Sequence, residues 1–507
     1  MANVILFRPR EKYSSNLSTN RPPLGLICLG TALKSKGFSV KIIDCETTKD
    51  WHMALENAVD RDTILAGVGV MTGYQIKGAL DFSRAIKQIK PVPVVWGGLH
   101  PSLLPDQTIQ HELVDIVVIG EGEDKLVCLA DNLSKDASLE TIPNIFYKKN
   151  GEIIKTSYKK QFIDMDTLIQ HDYDLIDTEY YASFDHRYYK DRPTRCLDIN
   201  TDRGCPHRCG FCYNIAFNQR RWRSMSAQKV VDLVDYFVKR YDLNGINFLS
   251  DNFFVDKERV KLICEGIINL NLNIKWESDI RIDTFLKYDD DLINLMRRSG
   301  CNRLTFGLES GSDRVLKLIH KDVPLNDVFK AHARAAKLGI EVNYHFMFGF
   351  PEETREEIIE TANVIYQLTK SPNVHTVWGP SIYVPYPGTT LFERCVEMGF
   401  NPPSSLEGWV MFDWENESVL PWFNKAYKRY MQEVQFICRH ASGQPKNAMR
   451  WAAKKYFRLR LLGLSYGITL GGLDIHMGLG IYNTFWLLKA FLEKSIYQIK
   501  KRLSNRQ

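Results

Sequence analysis

The sequence predicts an α/β protein: an open, doubly wound parallel sheet, then a partial α/β barrel, then a helical C-terminal region. Three observations carry this. Short apolar runs alternate with amphipathic helical stretches in two long series, a polar stretch separates the series, and the alternation stops near residue 400.

In the first series, residues 1–145, the runs NVILF, SVKIID, TILAGVGV, PVPVVWGG and VDIVVIG read as strands, with helices through LGLICLGTALKSKG and GALDFSRAIKQI. Such sheets bind ligands beyond the carboxyl ends of their strands. The segments there are Thr72 to Gln75, Gly97-Gly98-Leu99-His100 and Gly120-Glu121-Gly122-Glu123. Residues 146–190 are polar and weakly patterned and read as a linker with one or two short strands. In residues 191–400 the runs CLDIN, GINFLSD, IKWESDI, RLTFGLES, EVNYHFMFGF and TVWGPSIYVPYPG alternate with helices, which makes six strand–helix units and places a site at the strands' carboxyl ends. Residues 401–507 turn to aromatic-rich helical segments. Their most apolar stretch is broken by glycines, Asp474 and His476, so it reads as a packed helical cap rather than a membrane span, and membrane contact is not favoured.

Composition narrows the function. The 507 residues carry 66 basic and 60 acidic side chains without a basic stripe, so nucleic acid is not an expected partner. The N-terminal segment places its charges after its apolar run, unlike a secretory leader, and a reducing cytoplasm is the expected compartment. Of eleven cysteines only three cluster, which excludes a disulfide framework.

Those three are Cys205, Cys209 and Cys212, spaced by three residues and then two. Three thiolates on one tight loop can hold three irons of a [4Fe-4S] cubane and leave the fourth open to another ligand. Zinc is the competing reading, but zinc sites usually close with two ligand pairs and no second pair is present.

The string CPHRCGFCYN resembles the CxxxCxxC signature of the radical S-adenosylmethionine (SAM) superfamily. The resemblance implies that Cys205, Cys209 and Cys212 hold the cluster, that SAM chelates the open iron, and that an electron cleaves SAM to a 5'-deoxyadenosyl radical. It also implies an electron donor such as flavodoxin or ferredoxin. Phe211 then shields the cluster or packs on a bound ring. Ser250, Asp251 and Asn252 contact the methionine part of SAM, Glu309 its ribose with Ser310 beside it, and Gly349 lets backbone approach the adenine, while Pro351 and Glu352 open the next helix.

The first series is similar to the cobalamin-binding, Rossmann-like domains fused to radical SAM cores. Pro23, Gly25, Gly97, Gly98, Leu99, His100, Glu121 and Gly122 carry that similarity, the glycines letting backbone approach a flat corrin. The chain lacks the Asp-x-His-x-x-Gly box that supplies an axial histidine in other cobalamin proteins, and the nearest string, at Asp474 and His476, lies in the wrong domain. His100 therefore reads as a turn or hydrogen-bonding residue.

The family implies methylation of an unactivated carbon of a small-molecule substrate. Non-methylating oxidative cyclisation or rearrangement is the alternative, and a cobalamin sensor with a structural cluster is the alternative from another class. Methylthiolation would require a second cysteine triad, which residues 1–145 lack. The aromatic segment with Trp409, Trp414 and Trp422 is expected to roof the pocket and mildly favours a hydrophobic substrate.

Overall fold

The computed structural model describes residues 2–10, 21–183, 188–189, 192–412 and 418–441. The stretch containing Asp474 and His476, and Trp414, lie outside them.

Seven strands form the first sheet: β1 (Asn3–Arg8), β2 (Ser39–Asp44), β3 (Thr63–Gly69), β4 (Val94–Gly97), β5 (Ile116–Val118), β6 (Ile145–Lys149) and β7 (Glu152–Lys155). Their order is β2-β1-β3-β4-β5-β6-β7, parallel through β5 and antiparallel beyond it. Val4, Ile5, Leu6 and Phe7 are all buried, as expected for a parallel strand covered on both faces. The order reverses between β1 and β3, which opens a crevice at their carboxyl ends. The sheet runs on through the β6–β7 hairpin into the stretch expected to be linker. Alternation is the cause: Ile145 and Tyr147 turn into the core while Lys149 and Lys155 stay exposed.

The second sheet is a six-stranded, all-parallel partial barrel. Its first strand is β8 (Cys196–Ile199); a short ribbon of β9 (Asp202–Arg203) and β10 (Arg223–Ser224) follows. Then come β11 (Gly245–Phe248), β12 (Lys275–Ile280), β13 (Cys301–Glu309), β14 (Glu341–Phe348) and β15 (Val374–Ile382), in the order β15-β14-β13-β12-β11-β8. Outward residues such as Ile246, Trp276, Leu304 and Val342 are buried under helices. The helix Ala227–Tyr241 meets them with Val230, Val231, Val234 and Phe237, a stripe at helical spacing. A capping box of Thr354 and Glu357 starts the helix Arg355–Leu368.

The C-terminal part returns to both units. The helix Lys425–Ala441 packs on β15 through its buried residues Met431, Val434 and Ile437. Upstream, Gln107 of the first unit donates to the Pro403 carbonyl at 2.9 Å and accepts from Trp409 Nε1 at 2.8 Å. Among the described residues, no helix is long and apolar enough to cross a membrane.

Candidate active site

The cysteine loop is strung between the two strands of the β9–β10 ribbon. Gly204 has φ +85°, and a Cβ there would lie 2.0 Å from the Arg221 carbonyl oxygen, so only glycine fits. Its N–H donates to Asp251 Oδ2 at 2.6 Å, and Tyr213 Oη donates to Asp251 Oδ1 at 2.8 Å. At the other end, Gly210 N donates to the Ile319 carbonyl at 2.8 Å, and Leu391 N donates to the Gly210 carbonyl at 2.9 Å. The loop is thus held from both sides of the barrel mouth.

The sulfur atoms are met by donors. Asn252 Nδ2 lies 3.4 Å from Cys205 Sγ, and Arg281 Nη1 lies 3.6 Å from Cys209 Sγ. Burial pushes the Cys212 thiol up to about 12 and the Cys205 thiol upward, with the Cys209 sulfur adding to both. Three thiols on one loop, in a site that resists thiolate charge, with cationic and amide donors on the sulfur atoms, suit a cluster whose iron supplies the missing positive charge.

Other sequence-selected residues take less direct parts. Asp251 has both carboxylate oxygens engaged by the loop, so it positions the cysteines rather than facing the methionine part of SAM. Ser250 Oγ is 3.4 Å from Thr201 Oγ1. Glu309 ends β13 at φ +70° and is ion-paired with buried Lys321 at 2.8 Å. Ser310 is fully buried beside Thr361 Oγ1, at 3.3 Å, and accepts from Ser312 N, so it belongs to a packed turn and not to the pocket.

Gly349, at φ +80°, donates its N–H to Glu353 Oε2 at 2.5 Å, and Phe350 N donates to the same oxygen at 3.1 Å. Burial raises the Glu353 carboxyl to about 8. Glu352 does not open the helix, which begins after Thr354; it pairs with Arg394 at 2.5 Å. The Phe211 ring lies 6.0 Å from that of Phe350, across the same mouth.

In the first unit, Gly98 has φ +96° and a Cβ there would come within 2.9 Å of Val70 backbone atoms, which holds the β4 turn against the end of β3. Gly25 is exposed with nothing within 4 Å of its Cβ position, Pro23 precedes the helix Leu24–Ser35, and Gly97 and Leu99 flank the turn. Backbone is accessible there, as approach of a flat ring requires. His100 is buried, its Nδ1 3.0 Å from Thr72 Oγ1 and its ring edge-on to Trp409 at 5.8 Å. Burial lowers it to about 4, a neutral hydrogen-bonding residue.

Gly122 packs close to Leu29. Glu121 is not left facing the crevice. It pairs with Arg203 at 3.0 Å and Arg223 at 2.8 Å, and Glu123 pairs with Arg203 at 2.5 Å. These two arginines belong to the ribbon that carries the cysteine loop, so they tie the first unit's strand ends to the loop. Arg203, adjoining Gly204, was within reach of sequence reasoning. Lys321 and Arg281 carry no signal in spacing, because separate loops bring them in. Trp409 does not roof an open pocket; it is buried between the units.

Fold and site together define a radical SAM barrel behind a cobalamin-binding domain. Residues 199–365 match the radical SAM superfamily model, and residues 14–130 match the B12 binding domain model. The chain is 30% identical over 400 residues to an uncharacterized methyltransferase of Pyrococcus horikoshii, covering 78% of this chain and 83% of that protein. It is 25% identical over 405 residues to the anaerobic magnesium-protoporphyrin IX monomethyl ester cyclase of Rubrivivax gelatinosus, covering 77% and 69%. Among solved structures, the cobalamin-dependent SAM radical enzyme OxsB aligns with TM-score 0.70 at 16% identity, over 95% of this chain and 75% of that one. The radical SAM methyltransferase TsrM of Kitasatospora setae aligns with TM-score 0.63 at 18% identity, over 79% and 76%. The chain belongs to the cobalamin-binding radical SAM enzyme family, whose cofactors are a [4Fe-4S] cluster, SAM and cobalamin.

Proposed function

We propose that this chain transfers a methyl group to an unactivated carbon of a small molecule. One observation carries the reading: Glu121 and Glu123 lock the carboxyl-end face of the first sheet onto Arg203, immediately before the cysteine loop. The cofactor faces of the two units thus border one cleft, which brings a radical source and a methyl donor to one substrate. Relatives named as methyltransferases support it.

When bound, the cluster supplies the electron that cleaves SAM, and cobalamin supplies the methyl group. Cys205, Cys209 and Cys212 hold the cluster, with Asn252 and Arg281 donating to sulfur. The Gly349 turn, held by Glu353, presents backbone to the adenine, and the Gly98 turn does the same for the corrin. Flavodoxin or ferredoxin is the class of electron donor we assign. The proposed division is 1–145, 146–190, 191–400 and 401–507, with the β6–β7 hairpin joining the first unit.

The test is anaerobic reconstitution with cluster and cobalamin, followed by mass spectrometry of the SAM products. Deoxyadenosine together with S-adenosylhomocysteine supports methyl transfer. Deoxyadenosine alone favours oxidative ring formation, the second reading, which similarity to the cyclases supports. Each cysteine-to-alanine variant is expected to abolish SAM cleavage while the first unit stays folded, as circular dichroism and cobalamin binding would report.

A further inference from the structure

An ordinary α/β barrel fills its interior with branched apolar side chains. This one does not. In-register pairing puts Asp198, Asn247, Glu277, Arg303 and Glu341 on one inward layer, and Asp279, Thr305, Asn343 and Thr376 on the next. His345 and Trp378 stand side by side in the layer above, rings 6.3 Å apart and 17° from parallel.

The charges in these layers are unequal. Arg303 serves both Glu277 and Glu341, each at 3.1 Å. Arg21, reaching in from the first unit, lies 3.5 Å from Asp198 and feels Asp279 and Glu277 as well. Among the described residues, four carboxylates thus face two guanidinium groups, with the His375 ring 3.5 Å from Glu341.

Asp279 makes no hydrogen bond or ion pair among the described residues, and it is exposed although it lies on an inner strand of the sheet. Its exposure is to the lumen. One buried acceptor in the same wall also lacks a donor, Asn343 Oδ1, on a residue 5% exposed, while Asp198 Oδ2, on a residue 3% exposed, meets only the Arg21 guanidinium at 3.5 Å. Unsatisfied buried acceptors cost stability unless a donor arrives.

We propose that the lumen binds the substrate through a protonated amine, held by Asp279 with Asn343 Oδ1 as second acceptor and the His345–Trp378 face beside it. The substrate class is therefore a small polar amine, not the hydrophobic metabolite that the aromatic C-terminal segment favoured. The proposal rests on the methyl-transfer reading only in taking the substrate to lie between the two cofactor faces, onto which the lumen opens.

The test measures retention, not turnover. Anaerobic holoenzyme saturated with SAM is incubated with the small-molecule fraction of a cell extract, or with the same fraction after exhaustive N-acetylation of its amines. Native mass spectrometry then identifies what stays bound. The expected result is retention of amine-bearing molecules, loss of retention after acetylation, and a fall of about tenfold or more in Asp279→Asn. Asp279→Glu is expected to keep the amine preference, which separates charge recognition from misfolding.

Retention only of neutral or anionic molecules would overturn the proposal, as would equal retention from the acetylated fraction or no retention at all. In a parallel incubation with added reductant, an amine retained without S-adenosylhomocysteine formation would sink methyl transfer and leave the lumen site standing. S-adenosylhomocysteine formed alongside retained lipids alone would do the reverse.

Discussion

Gly204 and Asp251 shape the cysteine loop more strictly than the cysteines themselves do. A Cβ at Gly204 meets the Arg221 carbonyl at 2.0 Å, and its φ of +85° alone implies strain of about 1 to 3 kcal/mol for alanine. Gly204→Ala is expected to lower bound iron per chain after reconstitution; iron content equal to wild type would show that the loop tolerates the shift. Glu309 and Lys321 form a buried pair at 2.8 Å. Glu309→Gln leaves the ammonium buried without its counter-charge, at a cost of about 3 kcal/mol or more. Adding Lys321→Met should restore most of the thermal stability, and a double variant as unstable as the single would show that the pair does not act as a unit.

At the scale of elements, Glu121 is the main fastener between the first sheet and the ribbon. Burial works against its charge, but Arg203, the Ile163 N–H and Arg223 outweigh burial and hold its carboxyl below the usual range. Glu121→Ala leaves the Arg223 guanidinium without its carboxylate and Arg203 with Glu123 alone. A loss of about 3 kcal/mol or more is expected, with faster proteolysis between the units. An unchanged melting profile and cleavage rate would remove Glu121 from that role. The neighbouring elements show why part of this was legible. Gly-Glu-Gly-Glu follows a strand and so marks a strand end, but its partner arginines lie about 80 and 100 residues away, beyond the reach of local periodicity.

Over the whole molecule, His100 and His171 are buried neutral, both near 4 against an ordinary value of about 6.5. His100 faces Thr72 and Trp409, and His171 faces the Cys28 thiol at 3.0 Å. The unfolded chain takes up protons in this window and the folded chain does not. Their contribution is therefore complete above about 6.5 and is lost as pH falls towards about 4. Calorimetry should find the melting temperature dropping through that range, with a shallower drop in the His100→Gln, His171→Gln double variant; equal slopes would assign the acid sensitivity elsewhere. By itself the sequence determined the two α/β series, the three cysteines and the glycine turns at strand ends, because hydrophobic period, ligand spacing and positive φ are local properties of a chain. Tertiary structure alone decided which carboxylates hold the cysteine loop and which face arginine, that Trp409 lies between the units, and that carboxylates outnumber guanidinium groups in the described lumen layers. Those outcomes depend on which strands become neighbours, and in-register pairing sets that across tens to hundreds of residues.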